Sequence, residues 1–178
     1  MEKFKGALAG LYDTSKITFI PEWIRQGDIN LNDFQESARS EESFTYLTNQ
    51  ETALLNYESL GEPEIFNPDT DQDLNNWIAQ QENKGMTVKS VTEYLHEKFK
   101  DTHYLPGIEY EKYLYENTDK IPEKLKDGNH YYFVGSVLAK YGGNLHVPDG
   151  VWKHGRWSHK GTGALSSAHN SNFVMFRK

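Results

Sequence analysis

The chain contains no cysteine among its 178 residues. Without a thiol it can form no disulfide, offers no thiolate nucleophile and cannot build a cysteine-ligated zinc site. It also has no apolar run near the ~20 residues of a membrane-spanning helix, and the stretch Ala7–Leu11 is too short for a signal peptide. We therefore expect a protein of the reducing cytoplasm, meaning the host cytoplasm if the chain is viral, with no membrane partner.

Common signatures of catalysis and cofactor binding are missing as well. There is no nucleophile elbow, no phosphate-binding glycine loop and no dinucleotide-binding fingerprint. Residues 69–73 resemble the start of a calcium loop, but Leu74 replaces the turn glycine and Gln80 stands where the bidentate glutamate belongs. The sequence thus favours a protein without a bound metal or cofactor, and a non-enzymatic protein over an enzyme.

The aromatic content, 13%, supplies enough large side chains for a buried core and argues against disorder. A chain of this length suits one domain. We predict a single α+β domain over residues 1–178, with short N-terminal strands, a central three-helix region and a small C-terminal antiparallel sheet. Within it, residues 1–128 could form an acidic, partly helical lobe and residues 129–178 a basic, β-rich lobe.

The N-terminal third gives only short patterns. Alternating apolar residues bounded by turn formers predict strands, and a capping asparagine before spaced apolar residues predicts a short helix. Residues 51–60 fit a helix and a strand equally well. The predicted elements are strands at Ala7–Tyr12, Ile17–Trp23 and Phe44–Thr48, and a helix from Asn30 to Ala38.

Three helices are predicted in the middle of the chain. The first begins near Asn67 or Thr70, carries apolar residues at helical spacing from Leu74, and stops at Gly85. The second is capped by Thr87 and has a buried stripe of Val88, Val91, Leu95 and Phe99. The third, rich in tyrosine, spans Glu109–Glu116. Four later segments are predicted to form a small twisted sheet or a set of hairpins: Tyr131–Leu138, Asn144–Val147, Val151–Trp157 and Phe173–Phe176.

Charge is distributed unevenly around the formal net charge of −7. Residues 51–86 contain eight carboxylates and one lysine, so we predict an acidic surface that binds a protein partner with a basic or DNA-binding surface. Neutralisation by packing against the basic tail, or a purely solvated face, is the alternative. The predicted partner-binding residues are Glu51, Glu58, Glu62, Glu64, Asp69, Asp71, Asp73 and Glu82.

The tail, residues 129–178, has six lysines and arginines, five histidines and one carboxylate, Asp149. Zinc binding is disfavoured because the histidine spacing is irregular. The mixture of cations and tryptophans could instead hold a single strand, or a histidine could act as acid or base beside a phosphate. A basic hairpin with tryptophans in the core is the ordinary alternative. The candidate residues are Trp152, Lys153, His154, Arg156, Trp157, His159, Lys160 and His169.

Several short motifs occur in the order seen in a known family. The run Leu8–Tyr12, followed by Glu22-Trp23-Ile24, is similar to the first hairpin of ArdA-type antirestriction proteins. Asn56–Leu60 resembles that family's Asp-Tyr-Glu segment, and an acidic helix follows it in both. The resemblance extends over residues 7–140.

This resemblance implies a non-enzymatic DNA mimic from a phage or mobile element, acting against host defence. Such a protein places carboxylates where a duplex has phosphates and occupies the DNA groove of a type I restriction–modification enzyme. Our first hypothesis is accordingly an intracellular interaction protein that acts through its acidic segment. The second is a nucleic-acid-binding or metal-independent nuclease-like protein that uses the basic tail, and a homo-oligomer is open in either case.

Overall fold

The structure is a computed structural model that describes residues 17–19, 45–48, 55–81, 85–140, 144–159 and 162–178. The strand predicted at Ala7–Tyr12, the helix predicted from Asn30 to Ala38 and the candidate residues Glu51, Glu82 and Lys160 lie outside these ranges. The described residues combine α-helices with mixed sheets, which confirms the α+β class.

Three α-helices and eleven strands are present in the described ranges. The helices are α1 (Gln72–Ala79), α2 (Val88–Phe99) and α3 (Ile108–Glu116). The strands are β1 (Ile17–Phe19), β2 (Thr45–Thr48), β3 (Glu64–Phe66), β4 (His103–Tyr104), β5 (His130–Tyr132), β6 (Ser136–Lys140), β7 (Asn144–Val147), β8 (Asp149–Lys153), β9 (Arg156–His159), β10 (Thr162–Gly163) and β11 (Asn172–Arg177).

The strands form two sheets. The first has the order β1-β2-β6-β7-β10, and the second has the order β3-β11-β5-β8-β9, with β4 pairing to β11. Most neighbours are antiparallel, as predicted for the C-terminal half, but β5 lies parallel to β11 and β1 lies parallel to β2. The chain returns from β10 to insert its last strand into the interior of the second sheet.

Side chains of β11 alternate between two hydrophobic clusters, as the pleat of a strand requires. Phe173 and Met175 pack with α1 and α2, whereas Val174 and Phe176 pack with α3. The second sheet is therefore covered by helices on both faces. No helix in the described ranges is long and apolar enough to cross a membrane.

The three helices predicted in the middle of the chain are confirmed, with changes at both ends of the first. The α2 helix begins after Thr87, whose side chain accepts the backbone N–H of Ser90. The cap of α1 is Asp71, which accepts the backbone N–H of Leu74 at 2.6 Å, whereas Asn67 caps a preceding 3-10 turn at Pro68–Thr70. Because α1 already ends at Ala79, the prediction that it stops at Gly85 is wrong.

The segment predicted as one strand, Tyr131–Leu138, is two strands that belong to different sheets. The break falls where Gly135 packs directly against the backbone of residues 105–107, leaving no room for a side chain. Its N–H donates to the carbonyl of Pro106 at 2.8 Å. A continuous strand is incompatible with this contact between backbones, which apolar patterning alone does not reveal.

The segment predicted at Val151–Trp157 is a hairpin of β8 and β9, in agreement with the hairpin alternative. Its two-residue turn consists of His154 and Gly155, with φ values of 53° and 74°. Two positive φ values match the type I′ turn that suits the twist of paired strands. Residues 55–60, predicted to be helix or strand, form a turn in which the carbonyl of Asn56 accepts the N–H of Ser59.

Replacing Gly150 with alanine tests how closely β8 and β9 pack. A Cβ atom at this position would overlap the indole ring of Trp157, which is buried over the strand. We expect Gly150→Ala to lower the free energy of unfolding by about 1–3 kcal/mol, as over-packing does in other cores. Urea denaturation provides the measurement.

Gly61→Ala is the matched control, since a Cβ at Gly61 would meet no atom within 4 Å. We expect the midpoint of its urea denaturation to stay close to that of the unmodified protein. Equal stability of the two variants would contradict the close approach of Trp157 to β8.

Candidate functional site

Two carboxylates of the acidic segment pair with lysines that follow α3 in the chain. Glu58 pairs with Lys120, and Glu62 lies 3.6 Å from the ammonium of Lys124. Glu58, Glu62 and Lys120 also border a cavity of about 420 Å³ whose wall includes Tyr57. These lysines offset the negative charge at this end of the segment.

Two further carboxylates of this segment contact the C-terminal tail. Glu64 Oε1 lies 3.0 Å from Arg177 Nε, and its other oxygen lies 3.1 Å from His103 Nε2. Asp69 lies 2.6 Å from His169 Nδ1 and accepts the backbone N–H of Asn170 at 2.7 Å. The Asn170 N–H and the His169 imidazole hold the pKa of Asp69 below its usual value. The structure thus joins the acidic segment to the basic tail.

The other two described carboxylates of the predicted surface belong to the start of α1. Asp71 caps this helix and accepts a hydrogen bond from the Tyr94 hydroxyl at 3.3 Å. Asp73 is exposed in the first turn, where a negative charge stabilises the helix dipole. Asp71 therefore has a structural role, and Asp73 is the more accessible of the two.

Three of the candidate residues of the basic tail are structural. The ring of Trp157 is buried in the cluster beneath α3, and His159 is buried against Glu111 of that helix. The imidazole of His169 contacts the carboxylate of Asp69. The structure therefore separates these side chains from the exposed end of the β8–β9 hairpin.

The end of the hairpin carries the three exposed basic residues Lys153, His154 and Arg156, which we call the hairpin tip. Their side chains make no ion pair or hydrogen bond with any residue that the structure describes. Every other lysine and arginine whose side chain is described has an interaction partner. Beside the tip, Trp152 is half-buried, with the ammonium of Lys126 5.6 Å from its ring centre.

Strand register places Lys153 and Arg156 of the hairpin tip on the same face of the sheet as His130. Directly opposed residues share a face, and residues two apart along a strand share it as well. His130 is opposite Val151, which is opposite Ser158, and Lys153 is opposite Arg156 one row further along. His130 and Lys153 are thus diagonal neighbours, which places their Cα atoms about 7–8 Å apart.

His130 is oriented by a buried carboxylate. Its Nδ1 lies 3.0 Å from Oδ2 of Asp149, which is fully buried and accepts a second hydrogen bond from the Thr162 hydroxyl at 2.9 Å. Such a carboxylate fixes the imidazole tautomer with its proton on Nδ1 and a lone pair on Nε2. About a third of the His130 side chain, 33%, is exposed, and its Nε2 has no hydrogen bond to any described residue.

Sequence reasoning identified the hairpin tip and missed His130. The signal was present, because Asp149 is the tail's single carboxylate and a buried charge requires a partner. The histidine that meets it lies 19 positions away, on the adjacent strand. Nothing in the local pattern identifies which of the five histidines of the tail that partner is.

A second carboxylate and histidine meet inside the core. Glu111 Oε2 lies 2.7 Å from Nδ1 of His159, and both side chains are almost fully buried, but the atoms are not aligned as a hydrogen bond. Burial raises the pKa of Glu111 to about 7, although His159 and Trp157 act against this rise. Because this pair is closed to solvent, it affects the stability of the fold and cannot contact a ligand.

No group of three metal-ligating side chains occurs in the ranges the structure describes. Comparisons of the chain with protein families, with curated proteins and with solved structures gave no match. The resemblance to ArdA-type proteins stays a prediction, and the part of it at Leu8–Tyr12 lies outside the described residues.

The protonation of Glu111 predicts a pH-dependent stability. Native Glu111 keeps its proton up to about pH 7, whereas the ordinary value is 4.5. The unfolded state therefore binds fewer protons between these values, and the free energy of unfolding falls as the pH rises from 4.5 to about 7. We expect Glu111→Gln to remove this loss, measured by urea denaturation at a series of pH values.

The comparison must be made between the variant and the unmodified protein, because buried His96 acts in the opposite direction. Burial lowers the pKa of His96 to about 4, so its contribution falls as the pH falls. As the pH rises, the free energy of unfolding of Glu111→Gln should increase relative to that of the unmodified protein. Parallel curves would show that Glu111 ionises normally.

Proposed function

We propose that the protein binds single-stranded nucleic acid through the hairpin tip and the adjacent Trp152. The observation that carries this proposal is the exposure of Lys153 and Arg156 without a partner among the described residues. Exposed cations that pair with no described residue are available to phosphates, and their binding releases counterions from the strand. The action is assigned to the cytoplasm, as the sequence predicts.

The geometry of the tip suits a strand with exposed bases. Two cations on one face of a hairpin can contact phosphates. On the other face, the Trp152 ring packs in part against the cluster beneath α3 and lies near the Lys126 ammonium, and its exposed part is the surface we assign to stacking. Stacking on an aromatic side chain contributes about 1–3 kcal/mol per base and tolerates any sequence. A duplex hides the faces of its bases, so we expect it to bind less tightly.

The first hypothesis, a partner-binding acidic surface, stays a prediction and receives less support. Four of its six described carboxylates form ion pairs, and two of these pairs involve the C-terminal tail. Charge reversal at Asp69 and Asp71 would disturb the fold, since they hold the tail and cap α1. A clean test therefore reverses Asp73 alone and measures recovery of a protein partner after nuclease treatment.

Removing the two exposed cations of the hairpin tip should weaken nucleic-acid binding. We expect Lys153→Ala combined with Arg156→Ala to weaken binding to a labelled single-stranded oligonucleotide, measured by fluorescence anisotropy at low salt. Each lost phosphate contact should also reduce the slope of log K against log salt by about 0.7. The same oligonucleotide annealed to its complement serves as the duplex comparison.

The matched control removes the same charge elsewhere. Lys98 is exposed and pairs with Glu97 on α2, and Lys178 is exposed at the end of the chain. Lys98→Ala combined with Lys178→Ala should leave the affinity close to that of the unmodified protein. If both double variants weaken binding equally, the attraction is non-specific and the hairpin tip is not the site.

A further inference from the structure

The surroundings of His130 provide the parts of a proton-transfer site. Its two diagonal neighbours on β8 are Asp149 and Lys153. Asp149 holds Nδ1 of the imidazole, and Lys153 is one of the exposed cations of the hairpin tip. His130 therefore lies on the same face of the sheet as Lys153 and Arg156, one row of residues away from them, and the lone pair on its Nε2 is not used by Asp149.

We propose that His130 is a general base that cleaves RNA held at the hairpin tip. This inference rests on the proposed nucleic-acid binding and adds a reaction to it. The ligand is RNA rather than DNA because a ribose carries its own nucleophile, the 2′-hydroxyl, next to the phosphate. The reaction then needs a proton acceptor and positive charge, and both are present on this face of the sheet.

The step is an internal transesterification. His130 Nε2 takes the proton of the 2′-hydroxyl, and the 2′-oxygen forms a bond to the adjacent phosphorus. The bond between phosphorus and the 5′-oxygen of the next nucleotide breaks, and that oxygen takes a proton from water. The products are a 2′,3′-cyclic phosphate and a free 5′-hydroxyl, and His130 returns its proton to solvent.

Each of the other residues has a defined part in this step. Lys153 and Arg156 stabilise the negative charge that increases on the phosphate oxygens in the transition state. Asp149 is a positioning residue, because it keeps the proton of the imidazole on Nδ1 and stabilises the imidazolium that forms. The Thr162 hydroxyl occupies the second oxygen of Asp149 and so limits rotation of that carboxylate.

The experiment uses a DNA oligonucleotide with a single ribonucleotide, incubated with the full chain in the presence of EDTA. We expect cleavage at the ribonucleotide, with a 2′,3′-cyclic phosphate product, and no cleavage of the all-DNA or 2′-O-methyl versions. His130→Ala should lower the rate by roughly 100- to 10,000-fold, the usual contribution of a general base, with unchanged affinity for the all-DNA strand. Added imidazole should restore part of the rate.

Two further variants separate chemistry from folding. His130→Asn keeps an amide donor for Asp149 but has no base, so it should bind normally and fail to cleave. Asp149→Asn should lower kcat with little change in KM, since the strand still binds. The matched control is His169→Ala, which removes another histidine paired with an aspartate, and its cleavage rate should not change.

The outcomes distinguish this inference from the proposed function. Binding of the strand without cleavage overturns the role of His130 and leaves the binding function intact. Absence of binding overturns both. Cleavage that persists in His130→Ala and His130→Asn, or that occurs equally in all-DNA strands, assigns the activity to another agent and also overturns the inference.

Discussion

The structure depends on the burial of β11 between two hydrophobic clusters. Phe173 and Met175 supply one cluster, and Val174 and Phe176 supply the other, so one strand holds helices on both faces of the sheet. Such a strand must occupy the interior of the sheet, because every one of these four side chains is buried. The residues of β11 are thus among the most deeply packed that the structure describes.

The charge pairing follows from this position of β11. One of its antiparallel neighbours is β3, so the acidic residues around β3 lie beside residues 172–177. Glu64 then meets Arg177, and Asp69 meets His169. The uneven distribution of charge along the sequence is real, but strand order converts much of it into contacts between the two segments. Position along a chain is therefore a poor guide to surface potential when two distant segments share a sheet.

Local sequence patterns predicted the presence of the three central helices, but they did not identify the candidate site. Apolar spacing and the Thr87 cap predicted α2 correctly, since both depend on residues within a few positions of each other. The division of residues 131–138 depends on the backbone contact at Gly135, and the role of His130 depends on a strand partner far along the chain. The sequence could identify the basic hairpin as a candidate, but it could not distinguish Trp157 and His159, which are buried, from Lys153 and Arg156, which are exposed.

The turn at His154 and Gly155 has a mechanical consequence. Left-handed backbone conformations at both positions hold the two strands in a tightly twisted ribbon, and the Trp152–Trp157 pair anchors that ribbon close behind the turn. The backbone of this rigid hairpin has already lost its conformational freedom during folding. The conformational entropy lost on binding is then mainly that of a flexible ligand, because the hairpin is already ordered.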